Sequence, residues 1–310
     1  MKNNYNYGSL APFMDVAGID WAEGRPAFMV PGRPLEIEIG FGTGEYLVSL
    51  AKAAPATDFV GFEQCAKRIF KTLRKVHDEG LKNIRIFRLD AEWGFLYILG
   101  SAAVDRVHCL FPCPWPKKKH AANRLFQPAF LKLVRSRLKD GGVLRIVTDH
   151  HPYVDWIMDQ LAGTGFSAAR ARIGAVHGTK FEKKWQAGGQ EQFSELLLVA
   201  DGPLPDVNGE VLPVRTYFLQ QCDLSRLTLE DLKGAVSVVF TEKIVDAAQG
   251  VAMVHAMVTD HDRRQQVWVR ISHTDKGWCV CAAGGTVILP TDGARQAVDL
   301  VYEAALKTGK

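Results

Sequence analysis

From Leu35 onward, short apolar runs alternate with stretches in which apolar residues recur every three or four positions. The runs read as buried strands and the stretches as amphipathic helices. Strands are predicted at Leu35–Ile39, Asp58–Glu63, Asn83–Leu89, Val104–Phe111, Val143–Thr148 and Phe193–Ala200. Helices are predicted at Glu45–Ala54, Ala66–Glu79, Ala91–Leu99 and Tyr153–Ala162. A further helix starts at Pro128, presents Phe130, Leu133, Val134 and Leu138 on one face, and stops at Gly141-Gly142. This alternation implies an α/β fold with a doubly wound, mostly parallel sheet.

The pattern also divides the chain. Residues 1–34 carry four prolines and no regular period, and are expected to be irregular. Residues 35–202 hold the α/β pattern. Asp201–Gly209, rich in Gly and Pro, reads as a linker. Residues 209–310 then show β-rich runs at Val211–Leu219, Ala235–Val245, Val251–Thr259 and Gln265–Ser272, and a closing helix at Gly293–Leu306. An antiparallel α+β accessory domain is predicted there. Apolar stretches such as Val251–Val254 are expected to be core strands.

At 310 residues and 47% hydrophobic, the chain can bury two cores. It has no apolar run of membrane length and no signal-peptide core at its start, so a soluble, cytoplasmic protein without membrane contact is expected. Charge is unevenly spread. Residues 201–310 hold 11 basic and 14 acidic residues, and the preceding 200 hold 27 and 20. Between Pro112 and Arg145 there are nine basic residues and one acidic, which suits a polyanionic partner. The six cysteines form no C-x-x-C framework and are read as reduced thiols. No metal is expected, since the spacing of His108, Cys109, Cys113 and His120 matches no usual zinc site.

The first strand runs into Gly40-Phe-Gly42-Thr-Gly44. Glycines there permit a tight turn and let a ligand lie against bare backbone. The spacing is G-x-G-x-G, and Glu45 follows at once, which disfavours a pyrophosphate but tolerates a cation. Glu38 lies in that strand, Glu63 ends the second and Asp90 follows the third. Strand carboxyl ends are where such sheets bind ligands. Glu63 suits a ribose and Asp90 an adenine amino group. Each alone also reads as an acid capping the next helix.

Six segments together carry a resemblance: Leu35-Glu-Ile-Glu-Ile-Gly-Phe-Gly-Thr-Gly44, Val60-Gly-Phe-Glu63, Leu89-Asp-Ala91, Phe111-Pro-Cys-Pro-Trp-Pro-Lys117, Thr148-Asp149 and Thr179-Lys-Phe-Glu182. Over residues 35–200 the chain resembles the bacterial tRNA (guanine-N7)-methyltransferases. The resemblance implies a Rossmann-like class I methyltransferase domain, S-adenosylmethionine as cofactor and tRNA as partner. It implies 7-methylguanosine formation at a variable-loop guanosine. Carried over position by position, it makes Glu38, Gly40, Gly42, Gly44, Glu63, Asp90 and Ala91 cofactor ligands. Lys117, Asp149, Thr179, Lys180, Phe181 and Glu182 become the guanosine and RNA site, and Cys113 and Asp149 stand at the reacting centre. Lys117, with Lys118 and Lys119, suits phosphate. Trp115 suits either base stacking or core packing.

One position departs from the family pattern. Where F-P-D-P-W is usual, this chain has Cys113. Guanine N7 carries a lone pair and no proton, so transfer needs alignment more than a base. The thiol therefore leaves three readings open: a working N7 enzyme, a weak or inactive tRNA-binding paralogue, and an RNA cytosine-C5 methyltransferase with Cys113 as nucleophile. For residues 209–310, a homo-oligomer contact or a protein contact is left open.

Overall fold

The computed structural model describes residues 10–16, 19, 30–205, 207, 211–260, 263–284 and 287–309. Much of the 1–34 segment, expected to be irregular, and residues 206, 208 and 209 of the linker lie outside these. The chain divides into two compact units, one built on Ala27–Gly209 and the other on Glu210–Lys310.

The first unit runs β1 (Phe13–Met14), β2 (Leu35–Ile39), α1 (Glu45–Ala53), β3 (Asp58–Phe62), α2 (Ala66–Asp78), β4 (Ile84–Phe87) and α3 (Ala91–Trp93), which continues as a wider π turn (Gly94–Ile98). Then come β5 (Val104–Leu110), a 3-10 turn (Lys118–Asn123), α4 (Pro128–Arg137), β6 (Leu138–Thr148), α5 (His151–Asp159), β7 (Phe166–Gly174), α6 (Lys180–Ala187) and β8 (Gln192–Ala200). They form one sheet in the order β1-β4-β3-β2-β5-β6-β8-β7. Only the β6–β8 and β8–β7 pairings are antiparallel. The order reverses between β2 and β5, and the cleft where such folds bind ligands lies beyond the carboxyl ends of these two strands. Ile37, Ile39, Val60, Ile86, Val107 and Ile146 are buried in the sheet.

β1, paired with β4, falls inside the segment expected to be irregular, and three further elements differ from expectation. First, α4 ends at Arg137, and extended structure begins at Leu138. Gly141-Gly142 sits inside β6, where the register slips from Val104↔Leu138 to Arg106↔Val143 and the extra residues bulge out. Second, β7 gives no apolar alternation because it is an edge strand exposed along almost its whole length. Third, α6 is short and polar; what starts it is a capping box between Thr179 and Glu182.

The second unit is an antiparallel sheet ordered β10-β11-β12-β13-β9. Its strands are β9 (Tyr217–Leu219), β10 (Val236–Asp246), β11 (Val251–Asp260), β12 (Arg263–Thr274) and β13 (Gly277–Ala282), and α7 (Asp292–Thr308) packs on it. The expected strand from Val211 is extended only at β9, and β13 was not foreseen. Ala252, Val254, Ala256 and Val258 of β11 are buried with Ala297, Val298 and Val301 of α7, so the Val251–Val254 stretch is core.

Candidate functional site

β2 carries Glu38 into the cleft and then turns through Gly40, Gly42 and Gly44 at φ values of 68°, 59° and 77°. Side chains rarely adopt such angles. A Cβ on Gly40 would meet nothing within 4 Å, so bare backbone faces the cleft there. A Cβ on Gly44 would come within 2.3 Å of Thr72 on α2, so that glycine serves helix packing. Glu38 is 3% exposed, and its Oε2 has no hydrogen-bond partner. Burial, with Glu45 and Glu63 adding repulsion, pushes its carboxyl up to about 8, although the Leu47 N–H opposes this. A buried acid left half unsatisfied is a receptor for a cationic or hydrogen-bonding ligand. Glu45 is different. Burial disfavours its charge, but Lys75 Nζ (2.8 Å) and the Thr43 hydroxyl (2.7 Å) outweigh burial and hold it below the usual range.

Glu63, at the end of β3, closes the loop. Its Oε2 accepts from the Gly42 N–H (3.1 Å), and its Oε1 accepts from Gln64 and Cys65 N–H groups (3.0 and 2.9 Å). Asp90 caps α3 by accepting from Glu92 N–H (2.8 Å), and its second oxygen accepts from Gln64 Nε2 (2.6 Å). Ala91 follows it, buried.

Two cavities share this cleft. The larger, about 690 Å³, is lined by Glu63, Asp90, Ala91, Cys113, Trp115 and Asp149, among others. The smaller, about 430 Å³, is lined by Glu38, the glycine loop, Tyr46, Thr179, Lys180 and others. Gly40, Arg68, Leu110, Phe111 and Phe181 line both. The rings of Phe111 and Phe181 are 6.1 Å apart at that border. Phe111 holds φ 54°, a strained value for a bulky residue, just beyond β5.

The Pro-rich loop after β5 places Cys113 and Trp115 on the larger cavity, both exposed. Arg124 braces it by donating to the Pro114 and Trp115 carbonyls (3.0 and 3.2 Å). Lys117, Lys118 and Lys119 are exposed beside it. The basic stretch is less of an RNA surface than its count suggests. Arg135 and Arg137 are each 1% exposed. Arg135 donates to Asp140 and Gly202, and Arg137 donates to the Phe95 carbonyl. Buried guanidiniums must be paired, and these two are structural. Arg145 donates to Glu195 (2.6 Å) and to the Tyr46 hydroxyl (2.8 Å).

Asp149 lines the larger cavity, while its carbonyl accepts from Gln190. Thr179, Lys180 and Phe181 reach the cleft; Glu182 lines neither cavity. Its carboxylate, 1% exposed, accepts from His177 Nδ1 (2.6 Å) and from N–H groups of Val176, His177 and Thr179. These bonds hold the turn that carries Thr179 to Phe181.

Arg68, Tyr46 and Phe111 belong to the cleft and were not foreseen. Arg68 lies in an amphipathic helix whose charge reads as ordinary solvation. Phe111 closes an apolar strand and reads as core. Among the described residues, no group of three or more His, Cys, Asp or Glu is gathered for a metal.

Comparison with known proteins places residues 32–195 in a family described as "Putative methyltransferase". A tRNA (guanine-N(7)-)-methyltransferase from Chlorobium phaeobacteroides is 38% identical over 164 residues, covering 53% of this chain and 80% of its own. That of Aquifex aeolicus is 27% identical over 276 residues, covering 87% of this chain and 93% of its own. Among solved structures, a 16S rRNA (adenine(1408)-N(1))-methyltransferase from Catenulisporales acidiphilia aligns at 18% identity with a TM-score of 0.45, covering 63% of this chain and 95% of its own.

Proposed function

The chain belongs to the tRNA (guanine-N7)-methyltransferase family, and from that premise we propose that it transfers a methyl group from S-adenosylmethionine to N7 of a tRNA guanosine. The variable loop is the expected location of that guanosine. The single observation that carries the cofactor side is Glu38: a buried carboxyl with an unpartnered oxygen beside bare glycine backbone. These residues fit the cofactor. Glu38 and the Gly40–Gly44 loop would hold its cationic amino-acid end. Glu63 and Asp90 would exchange their present N–H partners for ribose hydroxyls and the adenine amine, and Ala91 would flank the ring. When bound, S-adenosylmethionine supplies an electrophilic methyl group.

The chain's own residues then have three tasks. Phe111 and Phe181, at the border of the two cavities, flank the path between cofactor and base and exclude water. Asp149 accepts from the guanine's N–H edge, which points N7 away from it. Lys117 with its neighbours, and Lys180, hold phosphates. No residue needs to remove a proton from N7. Placement and charge supply the catalysis, so Cys113 at the family's Asp position is compatible with activity. The named relatives favour guanine N7 over the cytosine-C5 alternative.

No helix among the described residues is long and apolar enough to cross a membrane, and work on tRNA fits a cytoplasmic protein. The second unit is proposed to make a homo-oligomer or protein contact, on the strength of Phe218 and Ile244, each 51% exposed on its strands. Unmodified tRNA incubated with the cofactor and digested to nucleosides tests the main reading. 7-Methylguanosine is expected. Tight cofactor binding with no such product would overturn it.

A further inference from the structure

A third cavity, about 310 Å³, opens at the start of α5 and is lined by residues that include His151, Asp155, Arg170, Arg172, Ser194 and Glu195. It lies at the catalytic end of the sheet. Ser194 pairs with Thr148, the last residue of β6, and Arg172 pairs with Ser194 one strand further out. Asp149, on the cleft, is only two residues before His151. Alternation along β7 puts Arg170 and Arg172 on one face. That face is the one α5 covers, since Arg170 Nη1 donates to Asp155 Oδ1 at 2.7 Å.

The lining holds two guanidiniums and two carboxylates, and both carboxylates are already paired. Asp155 is taken by Arg170, and Glu195 by Arg145 (2.6 Å). Among the described residues Arg172 has no ion-pair or hydrogen-bond partner, although it lies on an exposed edge strand. Ser194, 4% exposed, holds the His151 ring through Nδ1 at 2.8 Å. The other ring nitrogen is left without a protein partner among the described residues. A Ser-His-Asp hydrolase reading fails on the same geometry. The Ser occupies the ring nitrogen that would serve Nδ1-to-Asp orientation, and Asp155 is paired to Arg170. What remains is an oriented imidazole and an unpaired guanidinium around a polar hollow, the donor set that receives a phosphate oxygen.

Resting on the reading of this chain as a tRNA methyltransferase, we propose that the Arg172–His151 cavity binds a backbone phosphate of the tRNA, alongside the guanosine held in the cleft. Arg172 supplies the ion pair and His151 the second contact. This anchor lies beyond β6 from the Lys117–Lys119 loop, so the RNA would be gripped on both sides of Asp149. Neither Arg172 nor His151 touches the reacting atoms, so both act on positioning.

The test uses the full chain with Arg172→Ala, Arg172→Lys and His151→Ala, and Lys276→Ala, in the β12–β13 turn, as control. tRNA affinity is measured across salt concentrations, cofactor affinity by calorimetry, and 7-methylguanosine formation at saturating tRNA. Arg172→Ala is expected to weaken tRNA binding about tenfold at low salt and to lower the log–log salt slope by about one phosphate. Arg172→Lys should keep the slope, and His151→Ala should weaken binding by about threefold. Cofactor affinity and the rate at saturation should stay within about twofold of the parent, as expected when only uniform binding is removed. An unchanged salt slope in Arg172→Ala, with tRNA binding by the parent intact, overturns the phosphate site. The salt slope is read whether or not methylation occurs, so loss of 7-methylguanosine in the parent defeats the functional reading separately. Failure of the parent to bind tRNA defeats both.

Discussion

His177 Nδ1 lies 2.6 Å from Glu182 Oε1, and both side chains are almost wholly buried. Burial alone would raise the Glu182 carboxyl, but the His177 ring and the Thr179 and His177 N–H groups outweigh burial and hold it below its ordinary range. The pair clasps the turn that presents Thr179, Lys180 and Phe181 to the cleft. The Tyr46 ring, on the smaller cavity, stands edge-on to His177 at 5.2 Å and joins this clasp to α1. Removing one partner of a buried pair strands the other, so Glu182→Ala should destabilise the fold by about 3 kcal/mol. Glu182→Gln, which keeps an acceptor, should be milder. In Glu182→Gln the KM for tRNA is expected to rise about tenfold while cofactor affinity holds, as a mispositioned segment dictates. A fall in kcat alone, with KM and urea stability intact, would show direct guanine contact instead. Because the folded pKa is depressed, this contribution is present above pH 4.5 and is lost as pH falls through the folded value.

Glu38 has the opposite linkage. Its carboxyl titrates near 4.5 when unfolded and at about 8 in the fold. Between these values the unfolded state binds fewer protons, so stability falls as pH rises from about 4.5 to about 8, then levels off. Glu38→Gln cannot ionise. Its melting temperature should exceed that of the parent by a margin that widens across this interval, while its cofactor affinity drops at least about tenfold, as loss of a charge-assisted contact requires. A constant margin would show that Glu38 carries an ordinary pKa. The acid that receives the cofactor is thus expected to cost stability when the cofactor is absent.

What the sequence made legible, and what it did not, follows from the reach of each signal. Leu35–Ile39 alternates apolar and acidic residues and Val104–Leu110 includes Asp105, Arg106 and His108, so their place in the sheet is legible from the regular strand–helix alternation around them. Glu38 and the glycine loop lie within one strand–turn–helix unit, and Glu63 and Asp90 follow the next two strands, so local spacing at successive strand ends reveals them. Glu182 has the right motif, but its partner His177 is five residues upstream and is recognisable only once the turn is folded. Arg135 and Arg137 count as surface charge in a composition window; their partners, Gly202 and Phe95, are 67 and 42 residues away. Arg172 sits on a strand whose residues are nearly all exposed, so hydrophobic periodicity is silent about it.

The glycine loop separates two kinds of strain. Gly44→Ala adds a Cβ within 2.3 Å of Thr72 Cγ2 and forces φ 77° on a side chain. Gly40→Ala keeps open space but holds φ 68°. The left-handed region costs roughly 1–2 kcal/mol in either. Overpacking against α2 adds about 1–3 kcal/mol to the first only. Urea unfolding should therefore rank Gly44→Ala as the less stable. Gly40→Ala should remain folded and lose cofactor affinity instead, because its methyl enters the cleft. Equal stability of the two would mean that α2 yields freely at Thr72.

Cys113 tests whether this site aligns the base or attacks it. The thiol is exposed on the larger cavity with Trp115 and Asp149. If N7 transfer rests on alignment, the sulfur makes no bond during turnover. Cys113→Ala should then retain 7-methylguanosine formation within a few-fold. Cys113→Asp restores an acceptor that the family uses, and should raise kcat several-fold, on the scale of about 1 kcal/mol for one added hydrogen bond in the transition state. A nucleophilic thiol predicts the reverse: both variants would lose product, and the parent would trap 5-fluorocytosine RNA as an adduct that Cys113→Ala cannot form. Nucleoside analysis of the three proteins on one tRNA decides between these, since the two routes methylate different bases.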